Sequence, residues 1–186
     1  MPACLTGPSA EPLDVADLKD FLRITQDAED ALLARLVTTA RQMVESAAAR
    51  ILMTQTWRVT RDAWPPSGLL LLPLAPAVSL AAARLRHADG SETALPLSAF
   101  TLRGDRTPAV LACDRSALPA PDRAVGGIEL DLVLGYGEAG DVPGDLVQAV
   151  RLLAAHLYER REEAGLGGLL PDGVAALLRP YRMVRL

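Results

Sequence analysis

The spacing of apolar residues changes period twice along the chain, from helical to alternating and back to helical. In "LDVADLKDFLRI", Val15, Leu18, Phe21 and Leu22 recur at helical intervals, Asp14 stands as an N-cap and Asp17 follows three residues later. That spacing predicts a short helix. "TQDAEDALLARLVTTARQMVESAAARIL" repeats the device, with Asp27 as cap and Asp30 at the third helical position. Leu32, Leu36, Ala40, Met43 and Ala47 share one face, with Leu33, Val37, Val44 and Ile51 beside them, so a helix of about six turns is expected over Asp27–Arg50.

From Gln55 the period becomes two. "TWRVTRDAW" sets Trp57 and Val59 against Arg58 and Thr60, and "GIELDLVLGYG" sets Ile128, Leu130, Leu132 and Leu134 against Glu129 and Asp131. Between them lie a segment from Val78 to His87, an Asp89-Gly90 hairpin signal, "SAFTL", "AVLA", and a Pro- and Gly-rich loop between Cys113 and Gly127. The run Ala81–Ala83 is poorer in β-branched residues than the other strands. After Gly140, Pro143 opens a second long helix in which Leu146, Val150, Leu153, Ala154 and Leu157 form one stripe, closing near Gly165. A short helix capped by Asp172 then stops before Pro180, leaving "PYRMVRL" as a basic, extended tail.

These elements define an α+β fold: a helical framework of two long helices plus short terminal helices, with an inserted antiparallel β region. At 186 residues a single domain is expected, with framework at 13–54 and 142–178, β insertion at 55–137, a flexible N-terminal lead at 1–12 and a C-terminal tail at 179–186. Half the residues are hydrophobic but only 4% are aromatic, so the core must be built from Leu, Val and Ala.

The most apolar stretch, "LLLLPLAPAVSL" at Leu69–Leu80, changes nothing about location. A bilayer helix needs roughly 20 apolar residues, and Pro73 and Pro76 interrupt this one after four leucines. It lies mid-chain, unlike an export signal. It reads as a strand over Leu69–Leu72, a proline corner and a second strand from about Val78. No membrane role is expected.

A net charge of -4 gives no basic footprint for neutralising phosphates, which argues against groove-tracking or sequence-specific DNA binding. It remains compatible with a conduit along which DNA slides without sticking. Lys19 is the only lysine, and the Arg- and Ala-rich usage reads first as genome composition. Cys4 and Cys113 lack metal-ligand spacing and read as free thiols in a reducing compartment.

Gly135, Gly137 and Gly140 spell GxGxxG between a strand and a helix, the context of a dinucleotide fingerprint. Glu138 and Asp141, however, put carboxylates where a pyrophosphate would sit, Pro143 removes a helix N–H, and no further strand completes a βαβ unit. A nucleotide-binding enzyme using the Gly135–Gly140 loop is therefore a remote alternative. His156 and Glu159 have the i, i+3 spacing of half a metal site, but no second half matches them. No catalytic, metal-binding or cofactor-binding residue is assigned, and no cofactor is expected. In "YERREE", Arg160, Arg161 and Glu162 form either a solvated helix face or a contact between identical subunits. The tail is either a frayed terminus or an arm that orders on a partner.

Taken in order, "LKDFLRI", "DAEDALLARLVTTARQMVESAAARILMTQTW", "LPLAPAVSL", "DG", "LGYG", "VPGDLVQAVRLLAAHLYERRE" and "LLRPYR" resemble the head-to-tail adaptor (connector or head completion) proteins of long-tailed phages, prophages and gene transfer agents. The resemblance runs from Leu13 to Arg182. It implies a structural, non-enzymatic protein of the neck of a virion or phage-like particle, assembled in the bacterial cytoplasm. Such proteins form a ring, typically of twelve copies, between the portal and the stopper or tail, with an axial channel for DNA. The implied partners are the portal protein, the stopper or tail-terminator protein and further copies of the chain. The resemblance also implies a portal-docking role for the C-terminal segment, carried here onto Leu178, Arg179, Tyr181, Arg182 and Arg185. A tail-terminator or stopper-like role in the same particle is the alternative.

Overall fold

The computed structural model describes residues 2–104, 108–160 and 170–182. Where the length suggests one domain, the chain divides into two compact units: Met1–Pro8 with Thr54–Gly135, and Ser9–Met53 with Tyr136–Leu186. The first unit carries equal numbers of acidic and basic residues, so the whole net charge of -4 belongs to the second.

Among the described residues the first unit is built of β-strands with one 3-10 turn at Leu97–Ala99. A five-stranded antiparallel sheet has the order β1 (Ala3–Thr6), β2 (Gln55–Arg61), β8 (Ile128–Leu134), β4 (Ala77–Arg86), β5 (Glu92–Ala94). A three-stranded one has the order β3 (Leu69–Leu71), β7 (Val110–Cys113), β6 (Phe100–Arg103). The Asp89-Gly90 signal makes the β4–β5 hairpin, with Asp89 Oδ1 accepting from the Ser91 amide and hydroxyl and Gly90 at φ +88°. β4 shifts register twice against β8, between Ala77 and Ser79 and between Leu80 and Ala82. These irregularities border the alanine-rich run, whose small side chains accommodate the tighter local twist. Val59, Leu85, Ile128, Leu130 and Leu132 of the large sheet and Leu70 and Leu111 of the small one are buried.

The expected flexible lead over 1–12 is overturned. Ala3–Thr6 pairs with β2 as an edge strand, Leu13 is buried, and Glu11 receives Arg41 Nε at 2.6 Å and the Thr38 hydroxyl at 2.8 Å. Local composition could not reveal this, because each partner lies at least 27 residues away.

The second unit is helical among the described residues: α1 (Val15–Leu22), α2 (Asp30–Ala48), α3 (Gly144–Glu159) and α4 (Asp172–Leu178). Asp14 caps α1 through the Asp17 amide at 2.7 Å. The long helix begins three residues later than expected, with Glu29 at its N-cap, because Asp27 and Asp30 both bond Lys19 Nζ instead of serving as cap and capping box. Asp172 is likewise the first helical residue of α4, and Pro171 occupies the cap position; Pro143 does the same for α3. On α2 the deepest stripe is Leu33, Val37, Ala40, Val44 and Ala48, while Leu32, Leu36, Met43 and Ala47 are only half-buried. The stripe meets Leu146, Ala149, Val150, Leu153 and Ala154 of α3 and Val174 and Leu178 of α4 in one core.

Candidate functional site

Among the described residues, four places bear on what the chain could do chemically. The first is the glycine-rich exit from β8. Gly135 and Gly137 take φ of +119° and +133°, and the Glu138 amide donates to Asp141 Oδ2 at 3.0 Å. A loop that closes its backbone donor on its own carboxylate has filled the place where a phosphate would bind. A Cβ on Gly137 would stand 2.4 Å from Asp141 Oδ2. Gly137→Ala is therefore expected to cost about 1–3 kcal/mol of stability, read by denaturant unfolding, and adding a nucleotide should leave the melting temperature of the unsubstituted protein unchanged.

The second is the C-terminal segment, which differs from the extended tail expected. Leu178 is fully buried in the helical core, and Arg179–Tyr181 form a 3-10 turn. The Tyr181 hydroxyl donates to Asp145 on α3 at 2.7 Å. Burial and this bond to a carboxylate push the Tyr181 pKa from 10.0 up to about 12. A raised phenol pKa favours the neutral form, so the stability it contributes is present below pH 10 and is lost as pH rises through about 12. Tyr181→Phe is expected to remove a tyrosine ionising at about pH 12 from an alkaline titration followed by tyrosinate absorbance, and to cost about 1 kcal/mol. Arg179 and Arg182 are exposed, whereas Arg185 lies outside the described residues.

The third is the end of α3. Arg160 is the exposed C-cap, its amide donating to His156 O at 3.0 Å. Arg161 and Glu162, expected with it at a subunit interface, lie outside the described residues. The Tyr158 hydroxyl donates to Glu29, tying α3 to the start of α2. His156 and Glu159 line an open cleft of about 350 Å³ with Phe21, Leu152, Pro171 and Val174. Among the described residues no three His, Cys, Asp or Glu side chains gather as metal ligands.

The fourth place escaped the sequence reading. β8 alternates as expected, but its polar side is buried too: Glu129 and Asp131 are each only 6% exposed. Register sets Asp131 opposite Arg58 of β2 and Glu129 opposite Arg84 of β4. Arg58 grips Asp131 with two bonds, Nε–Oδ1 at 2.7 Å and Nη2–Oδ2 at 2.9 Å, and Arg84 Nη2 adds a third at 2.7 Å. Glu129 Oε2 lies 3.1 Å from Arg58 Nη1 without hydrogen-bond alignment, so its hold is coulombic. Arg86 extends the ladder to Glu92 at 3.1 Å. The Arg58 guanidinium, first through its hydrogen bonds, holds the Asp131 carboxyl below the usual carboxylate range. Asp131, so held as an anion, is unsuited to shuttling protons. The ion pairs brace the sheet. The readable signal was an acid at every second position of one strand, with an arginine at the facing positions of two others.

Comparison with known proteins decides what these surfaces belong to. The family model of the phage gp6-like head-tail connector proteins matches residues 12–93. A chain in the neck of an empty gene transfer agent particle, computed with C6 symmetry, is 32% identical over 100% of this chain and 97% of its own, with a TM-score of 0.85. The chain belongs to the head-tail connector family. A chain of the virion of a native gene transfer agent particle matches at 32% identity and TM-score 0.83, and one from the native neck computed with C12 symmetry at 31% and 0.81, each over 100% of this chain and 97% of the other. No curated protein matches the sequence. The expected α+β class stands, and the family and its solved neighbours are structural proteins of particle necks. Among the described residues no helix is long and apolar enough to cross a membrane.

Proposed function

We propose that this connector forms a ring of identical subunits in the neck of a phage-like particle, joining the portal to the stopper or tail around an axial passage for DNA. The observation that carries the reading is whole-chain similarity to chains of particle necks computed with C6 and C12 symmetry. A net charge of -4 supports a conduit over a DNA-gripping surface. A non-enzymatic role is supported at the two arrangements that would otherwise suggest catalysis: the glycine loop is closed by Asp141, and the paired carboxylates Glu129 and Asp131 are held by arginines.

Portal docking is assigned to the end of the chain, through Arg179, Arg182 and Arg185. Leu178 and Tyr181 support it from within, since core burial and the Asp145 bond fix the chain up to Tyr181. Arg160, with Arg161 and Glu162, is assigned to the contact between subunits. The test is co-sedimentation with portal rings of the same particle, comparing the full chain with one ending at Tyr181. Saturable binding by the full chain, lost in the truncation, is expected. Equal binding by both would move docking elsewhere, and binding by neither would refute the portal as partner.

A further inference from the structure

The first unit exposes an apolar knob. In the small sheet, Leu69, Leu71, Val110 and Ala112 share one face, because Leu69 pairs with Ala112 and Leu71 with Val110. Leu69 and Leu71 are 53% and 60% exposed on an edge strand. An exposed apolar edge strand promotes association unless something covers it. Basic side chains flank it: Arg61 Nη2 donates to the Leu71 carbonyl at 3.3 Å, and Arg103 sits across from Val110 on the same face.

The second unit exposes a matching hollow. Phe21, 46% exposed, rims the 350 Å³ cleft floored by Leu152, Pro171 and Val174. Its margin is acidic. Asp17 stands one helical turn before Phe21, Asp20 beside it, and Glu159 on the wall, all three exposed; of the bases nearby, Lys19 of α1 is engaged by Asp27 and Asp30, and Arg23 lies just past the helix end. Thus an apolar projection with a basic border and an apolar recess with an acidic border occur on different units of one chain.

We propose that neighbouring copies in the ring join by seating Leu69 and Leu71 of one copy in the Phe21 cleft of the next, with Arg61 and Arg103 facing Asp17, Asp20 and Glu159. The proposal rests on the ring reading above and names its contact. Two different patches on one chain make a head-to-tail interface, the kind that closes into a ring when the rotation permits. Charge complementarity orients the approach, and the desolvated leucines supply the hold.

The test uses the full chain with Cys4→Ser and Cys113→Ala, assembled on portal rings of the same particle and oxidised. Phe21→Cys combined with Leu71→Cys is expected to give a ladder of covalent multimers on a non-reducing gel, and either replacement alone to stay monomeric. A covalent dimer from Leu71→Cys alone would mean that edge strands pair symmetrically, and would overturn the proposal. Wild-type rings that sediment normally beside a double variant with no ladder would sink this contact and leave the ring standing. Absence of wild-type rings would end both. In a separate arm, Leu71→Asp should lower ring yield about tenfold or more with the melting temperature of the free chain unchanged; full ring yield would again contradict the contact.

Discussion

Replacing Asp131 by Ala is expected to lower the free energy of unfolding by about 2–3 kcal/mol. Removing one partner of a buried ion pair leaves the other uncompensated, at about 3–5 kcal/mol for fully buried groups. Here Arg58 and Arg84 keep 25% and 23% of their side chains exposed, so water takes up part of the loss. In a chain of 186 residues the melting temperature should fall by roughly 5–10 °C. The same site predicts acid sensitivity. Because the folded Asp131 pKa is depressed below 3.8, its contribution is present above that value and is lost as pH falls through the lower folded one. Between neutral pH and pH 3 the wild type should therefore lose more stability than Asp131→Asn. Parallel curves for the two proteins would show that the ladder contributes nothing electrostatic.

Leu178→Ala is expected to cost about 3 kcal/mol, within the range for large-to-small changes in closed cores. The residue is fully buried and packs in a cluster with Leu153 and Val174. This has a consequence for studies of docking. A chain ending at Leu170 loses Val174 and Leu178 from the core together with the Tyr181–Asp145 bond, so failure to bind a partner would report unfolding as readily as a missing contact. A chain ending at Tyr181 keeps all three and removes only residues 182–186. Urea unfolding should place its midpoint within error of the full chain, and that of the Leu170 truncation well below.

What was legible in the sequence was what neighbours in the chain decide. The Asp14 cap, the Asp89-Gly90 hairpin and the alternation of β8 each depend on residues within one turn or one strand, and each appears as read. Asp27 was misread as a cap because its competitor, Lys19, comes from the preceding helix. The lead over 1–12 looked mobile because its prolines and Gly7 are visible while its partners, β2 and Arg41, are distant. The ladder around Asp131 was hidden for the same reason: an acid on the polar side of a strand reads as solvated until the register brings two arginines over it. Leu178 and Tyr181 were read for a partner, whereas packing against α3 commits them first to the chain's own core. Family resemblance carried what no residue pattern could, the placement of the whole chain among connectors.

Electron cryomicroscopy of the full chain bound to portal rings of the same particle tests the central claim most directly. A closed ring of subunits coaxial with the portal, open along its axis, is the predicted result. Single copies scattered on the portal rim, or a ring whose density seals the axis, would contradict a connector that leaves DNA a path.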